Sequence, residues 1–118
     1  MFIYNFLLLL FMSNKPNLNR VIVLRFQDEV IRQINRLDGN MNLRQPIKEE
    51  STLRILNLLS NKIEGLIKLC GEFSVDPLIK IYLKEMRDAI ILFRLNEMEL
   101  STFIQIKEKV AKNLTELI

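Results

Sequence analysis

The stretch Asp76-Pro-Leu-Ile-Lys-Ile-Tyr-Leu-Lys-Glu-Met-Arg-Asp-Ala-Ile-Ile-Leu-Phe-Arg-Leu95 opens with an N-cap residue followed by proline at the first helical position. The aspartate side chain can accept a free N–H of the first turn, and proline lacks an N–H that would otherwise go unpaired there. Beyond that boundary Ile79, Tyr82, Met86, Ala89, Ile90 and Phe93 recur at helical spacing along one side. Leu78, Ile81, Ile91, Leu92 and Leu95 carry apolar surface around much of the remaining circumference. A helix of this kind is expected at the centre of a bundle or shared with another subunit.

Toward the C-terminus, Asn96-Glu-Met-Glu99 reads as a capping box and Ser101 as a second cap, so a break is expected at 96–101. The last helix then carries Phe103, Ile106, Val110, Leu114 and Leu117 inward, with Glu108 and Lys112 on its wet face. In the other direction, Glu49, Glu50 and Ser51 put acid and a cap where a helix dipole favours them. Leu56, Leu59, Ile63, Leu66 and Cys70 follow at spacings of 3, 4, 3 and 4, the seam of a helix packed on a partner helix, and Gly71 is expected to end it. Glu64 and Lys68 lie off that seam.

Residues 19–38 admit two readings. Val21-Ile-Val-Leu24 is β-branched enough for a short strand at 20–26, followed by a helix from Asp28 to Leu37. The preferred reading is one helix over 19–38, in which Val23, Phe26, Val30, Ile34 and Leu37 line one face and Asp28 pairs with Arg32. Gly39 then suits a left-handed cap, and 40–47, with Pro46, is a loop. The fold expected is all-α, a three- or four-helix bundle in a single domain over 19–118, with the short strand as the alternative at its N-terminal end.

Residues 1–18 form an apolar segment and a polar tail. As a helix, Phe2–Phe11 would span about 15 Å, half of the ~30 Å hydrocarbon core of a bilayer. No Lys or Arg precedes it, as a secretory signal would require. Translation from Met12 is the preferred reading, because Ser13-Asn-Lys-Pro-Asn17 resembles an ordinary polar tail. Membrane contact through residues 2–11, or packing on the body or on a second copy, are the alternatives.

Composition removes several chemistries. The chain has 118 residues, 49% of them hydrophobic and 26% charged, with three glycines, three prolines, one cysteine and no histidine. So few turn formers argue against an all-β chain. One cysteine without histidine excludes a Cys/His zinc site and an internal disulfide within one chain, and leaves neither a Ser-His-Asp triad nor a base to activate Cys70. Gly39, Gly65 and Gly71 are isolated, so no phosphate-binding loop can be drawn. The carboxylate pairs Glu49/Glu50, Glu85/Asp88 and Glu97/Glu99 read as a dipole partner, a solvated face and a cap. No catalytic, cofactor or metal residue is expected.

The net charge of +3 is uneven. Between Ser13 and Lys48 seven basic residues face three acids; from Glu49 onward ten face eleven. Arg20, Arg25, Arg32, Arg36 and Arg44 are therefore the candidate contacts for phosphate or a carboxylate surface. The run Arg20-Val-Ile-Val-Leu-Arg-Phe-Gln-Asp-Glu-Val-Ile-Arg-Gln-Ile-Asn-Arg-Leu37 resembles the opening of ribbon-helix-helix regulators. That resemblance implies two strands paired across a dimer and set into the major groove of DNA. It departs from the family in Val21 and Val23, where polar base-reading side chains are usual, and in its long 38–49 loop. Tyr82-Leu-Lys-Glu-Met-Arg87 with Ile90-Ile91 and a capped final helix is loosely similar to the helical domain of GINS replication subunits.

The expectation that follows is a cytoplasmic, non-catalytic interaction or assembly subunit without cofactors, self-associating or docked on a larger assembly that can include nucleic acid. Leu56, Leu59, Ile63, Leu66, Ile79, Tyr82, Met86 and Phe93 are its candidate helix–helix interface. A ribbon-helix-helix DNA-binding regulator and a small membrane-associated helical protein are the alternatives.

Overall fold

The structure, a computed structural model, describes residues 18–118; the readings made above for residues 1–17 lie outside the described residues. Leu18–Phe26 (α1), a π-helical turn at Gln27–Ile31 and Arg32–Gly39 (α2) run on as one rod. Glu50–Glu72 (α3), Pro77–Arg94 (α4) and Leu100–Thr115 (α5) complete a four-rod, all-α bundle with no strand among the described residues. α4 packs along both α3 and α5, and the rod lies against α3 and α5 chiefly through its π turn.

The strand considered at 20–26 is helix, and burial gives the reason. Ile22, Val23 and Phe26 are all buried while Leu24 is exposed, an arrangement that helical spacing delivers. A pleated strand would send Ile22 and Val23 to opposite faces and strand one of them in water. Core burial thus outweighs the β-branched preference of the run.

The single helix over 19–38 is present, with one departure from regular α geometry. Leu18, Ile22, Phe26, Val30 and Ile34 are all buried and stand four residues apart. At 3.6 residues per turn, each step of four drifts by about 40° around the helix, and four such steps would carry the stripe off the core. The Arg32 N–H donates to the carbonyl of Gln27, five residues back, so the turn there takes in an extra residue. That wider turn brings Val30, Ile31, Ile34 and Leu37 back to the face that Ile22 and Phe26 bury. The Gln27 side chain also fixes the turn, donating from Nε2 to the Ala111 carbonyl (3.0 Å) and to Thr115 Oγ1 (3.1 Å) on α5.

One continuous core joins the rods. Leu56, Leu59, Ile63, Leu66 and Cys70 of α3 meet Ile79, Leu83, Met86, Ile90 and Phe93 of α4 within it. Phe93 stacks on Phe103 of α5, with ring centroids 4.4 Å apart and planes 10° from parallel. Leu43, in the loop, is buried in the same core, and Gln45 pins that loop by donating from Nε2 to the Met98 carbonyl at 2.8 Å.

Asp76 caps α4 as its sequence predicts, Oδ1 accepting from the Leu78 N–H at 2.9 Å ahead of Pro77. Other ends are built differently from expectation. Gly39 closes α2 as its last helical residue, and the left-handed residue is Met41 (φ 63°), with Met41 N–H to Asp38 O (3.0 Å) and Asn42 N–H to Leu37 O (2.9 Å). α4 ends in the same way: Asn96 has φ 63°, Asn96 N–H donates to Phe93 O (3.0 Å) and Glu97 N–H to Leu92 O (2.9 Å). This pair of bonds is the Schellman arrangement, which satisfies carbonyls left free at a helix end. Asn96 therefore terminates α4 instead of opening a capping box. Glu99 precedes α5 without a side-chain cap bond, and Ser101 lies inside that helix. Ser51 likewise lies inside α3, and Gly71 within its last turn, Phe73 being the residue at which it ends.

Candidate functional site

Four helix faces are turned inward by the core, so the surface worth building a site from is the one left over. On α4 the inward positions are Ile79, Leu83, Met86, Ile90 and Phe93. On its outer side Leu78, Ile81, Glu85, Asp88, Leu92 and Leu95 follow at spacings of 3, 4, 3, 4 and 3. Leu78, Ile81, Leu92 and Leu95 are 43%, 57%, 37% and 52% exposed. Large apolar side chains at the heptad spacing of a helix–helix seam, all on one face and in contact with water, form the second seam of this helix.

The two acids in the middle of that seam are each held by a base of the same chain. Lys109 on α5 donates to Glu85, and Arg87 donates to Asp88 at 3.0 Å. Arg87 also reaches across to Glu64 on α3, and this hydrogen bond raises its guanidinium above arginine's usual pKa against the opposing effect of burial. The sequence placed Glu85 and Asp88 on a solvated face beside Lys84 and Arg87. In the structure Glu85 and Arg87 tie α4 to its two neighbours.

The residues named in advance as helix–helix interface divide. Leu56, Leu59, Ile63, Leu66, Ile79, Met86 and Phe93 are consumed by the bundle's own core, and Tyr82 packs half-buried against its rim. The apolar surplus lies instead at Leu78, Ile81, Leu92 and Leu95, all four noted as extra apolar surface around the same helix.

The five arginines do not converge on one site. Arg25 donates from Nε and Nη2 to the two carboxylate oxygens of Glu29 (3.2 and 3.1 Å). Arg32 pairs with Asp28 at 2.9 Å, as expected from the sequence. Arg44 Nη2 lies 3.0 Å from the Met41 sulfur. Arg20 and Arg36 are exposed on the rod, Arg20 in α1 and Arg36 in α2, on opposite sides of the π turn. A shallow surface depression of about 390 Å³ lies over Val21, Leu24, Arg25, Asp28 and Glu29. Its arginine is already neutralised by its neighbour Glu29, so the depression offers an anion little net positive charge.

Two further chemistry-bearing side chains, Cys70 and Lys107, are buried. Burial pushes the Cys70 thiol above its ordinary pKa, Lys80 opposing this in part, so the sulfur is held as the neutral thiol. Lys107, only 8% exposed, was missed because the sequence reading gave that face of α5 to Ile106. The buried set is Phe103, Lys107, Val110 and Leu114, a 4-3-4 spacing that includes the lysine. Its stem packs with the core while Nζ donates to Asn35 Oδ1 on the rod at 2.6 Å. Among the described residues no group of three or more His, Cys, Asp or Glu is placed to hold a metal ion, and no buried side-chain nitrogen or oxygen lacks a partner. No helix among them is long and apolar enough to cross a membrane.

Comparison with protein-family models, with curated proteins and with solved structures gives no match to this chain.

Proposed function

We propose that this chain is a non-catalytic helical assembly subunit of the cytoplasm, acting by burial of the outer seam of α4 against a partner. The observation that carries the reading is the heptad-spaced row Leu78, Ile81, Leu92 and Leu95 in contact with water. Each of these side chains is already about half-buried, so covering the rest gains on the order of 1 kcal/mol apiece, and four on one face favour association. Among the described residues the inner core is complete without them. The pairing of Arg25 with Glu29 and of Arg32 with Asp28 weighs against phosphate recognition as the main role of the rod.

The test places a photoreactive benzoyl-phenylalanine at position 81 or 92 of the full chain and irradiates the cells that express it. A cross-linked adduct is expected from both positions and none from position 112, a wet site on α5. If neither seam position yields an adduct, the assembly reading fails.

A further inference from the structure

We infer that residues 43–48, between the rod and α3, form a strap that opens as a unit while the rods stay folded. Backbone bonds fix its two ends: Asn42 N–H donates to Leu37 O (2.9 Å) before it, and Leu53 N–H to Glu49 O (3.2 Å) after it. Among the described residues, no backbone hydrogen bond ties 43–48 itself to a rod. Side chains do that instead. Leu43 is fully buried, Gln45 and Ile47 are half-buried, and Arg44, Pro46 and Lys48 are exposed between and beside them. Inward and outward positions thus alternate, as in an extended chain, but without the ladder that holds a strand.

The strap closes over the junction of α4 and α5. Gln45 Nε2 donates to Met98 O at 2.8 Å and lies 3.5 Å from Phe93 O, so one amide reaches the end of α4 and the turn that follows it. Leu43 enters the core that also holds Phe93 and Phe103, and Ile47 packs against it. Opening withdraws these three side chains, turns Leu43 and Ile47 out to water, and leaves a socket in the core where Leu43 stood. The fold therefore carries a gate over the α4–α5 junction, shut by its own chain.

Little resists that motion. A rod leaves the core only by exposing a whole row of buried side chains, such as Ile79, Leu83, Met86, Ile90 and Phe93 on α4. The strap exposes one leucine and part of an isoleucine, and its residues regain backbone freedom as they leave. Segments with few apolar contacts and few backbone bonds open at a lower free energy than the whole domain. Opening of the strap is accordingly expected under conditions in which the bundle remains fully helical.

Trypsin applied to the full chain tests this through the Arg44–Gln45 bond, with cleavage followed by mass spectrometry. That bond fits a protease only when Gln45 has been released, and with rapid reclosing the rate follows the open population. Cleavage is expected well below the urea unfolding transition, at a rate almost flat in urea, because opening exposes little surface. Gln45→Ala should raise the rate roughly three- to tenfold. Leu43→Ala should raise it at least about tenfold, and both variants should keep the helical circular dichroism of the unsubstituted chain. Val110→Ala, on α5 about 15 Å from its first residue, should lower the unfolding midpoint yet leave the rate within about twofold. A rate that climbs with urea in step with the loss of helicity would overturn the proposal. So would rates left unchanged by both strap substitutions, or a Leu43→Ala chain that has lost its helices.

Discussion

The rod and α4 are both helices with one face in the same core, yet they reach it by different arithmetic. α4 buries Ile79, Leu83, Met86, Ile90 and Phe93, whose steps of 4, 3, 4 and 3 average close to the α-helical turn. The rod buries Leu18, Ile22, Phe26, Val30 and Ile34 in unbroken steps of four, and one π turn absorbs the excess. Their attachments differ too. α4 is joined to α5 by the buried Phe93–Phe103 stack as well as by Glu85 with Lys109, whereas the side chains named between the rod and α5 are polar, Gln27 to Ala111 and Lys107 to Asn35. The lesson is that a wider turn stands in for an inserted residue, so the rod contains one residue more than its core face needs.

Single-residue deletions break the comparison most sharply. Removal of exposed Lys84 from α4 would rotate Met86, Ala89, Ile90 and Phe93 by about 100° away from the core. The expected loss exceeds the ~5–15 kcal/mol by which domains of this size are stable, so this variant should be unfolded by circular dichroism. Removal of Asp28 from the π turn should instead convert that turn to regular α-helix. Val30, Ile31, Ile34 and Leu37 would then stay in register with Ile22 and Phe26. The cost is limited to an exposed pair with Arg32 and a disturbed Gln27 contact, about 1–2 kcal/mol. If both deletions unfold the chain, the register argument for the π turn is wrong.

The attachments to α5 give a smaller contrast. Phe103→Ala removes a fully buried ring from the stack and should cost about 3–5 kcal/mol. Asn35→Ala deletes the acceptor of the Lys107 ammonium in a part-buried contact, for which roughly 1–2 kcal/mol is expected by urea unfolding. Replacing the lysine itself tests the cause: in Lys107→Met the stem is kept and the charge removed, so Asn35→Ala should cost almost nothing in that background. An Asn35→Ala effect that persists beside Lys107→Met would assign Asn35 some role other than holding the charge.

How much of this could be read in the sequence depended on how local the signal was. Asp76-Pro77 was legible because capping is decided by adjacent residues, and the α3 seam because its 3-4-3-4 spacing is explicit. The outer seam of α4 was visible as an apolar surplus, although which residues would be left outside depended on where α3 and α5 dock. The steps of four in the rod were also in plain view, but a turn of changed pitch is a property of packing and has no residue signature. Lys107 was passed over because its charge argues for the surface while its long apolar stem fits a core position. Arg25 and Glu29 stand four apart, as Asp28 and Arg32 do, and this spacing was a local sign that both arginines are engaged.

The two Schellman ends give the finest comparison, since the same backbone is made by different residues. Met41 and Asn96 both hold φ at 63°. Asparagine tolerates the left-handed region, whereas a methionine there brings its Cβ too close to the following carbonyl, at a cost of about 1–2 kcal/mol. Glycine has no Cβ but loses more chain entropy on folding, which returns roughly 0.5–1 kcal/mol of that difference. Met41 is exposed and makes little packing contact beyond the Arg44 guanidinium at its sulfur, so few interactions are forfeited by its removal. Met41→Gly should therefore stabilise the protein by up to ~1 kcal/mol, raising the thermal midpoint by a few degrees in a chain of this length. Asn96→Gly should change it by only a few tenths of that, because the strain it relieves is already small. Equal shifts in the two melts would mean that residue type at the left-handed position does not set the stability of these ends, and that the rod and α4 terminate on the same terms after all.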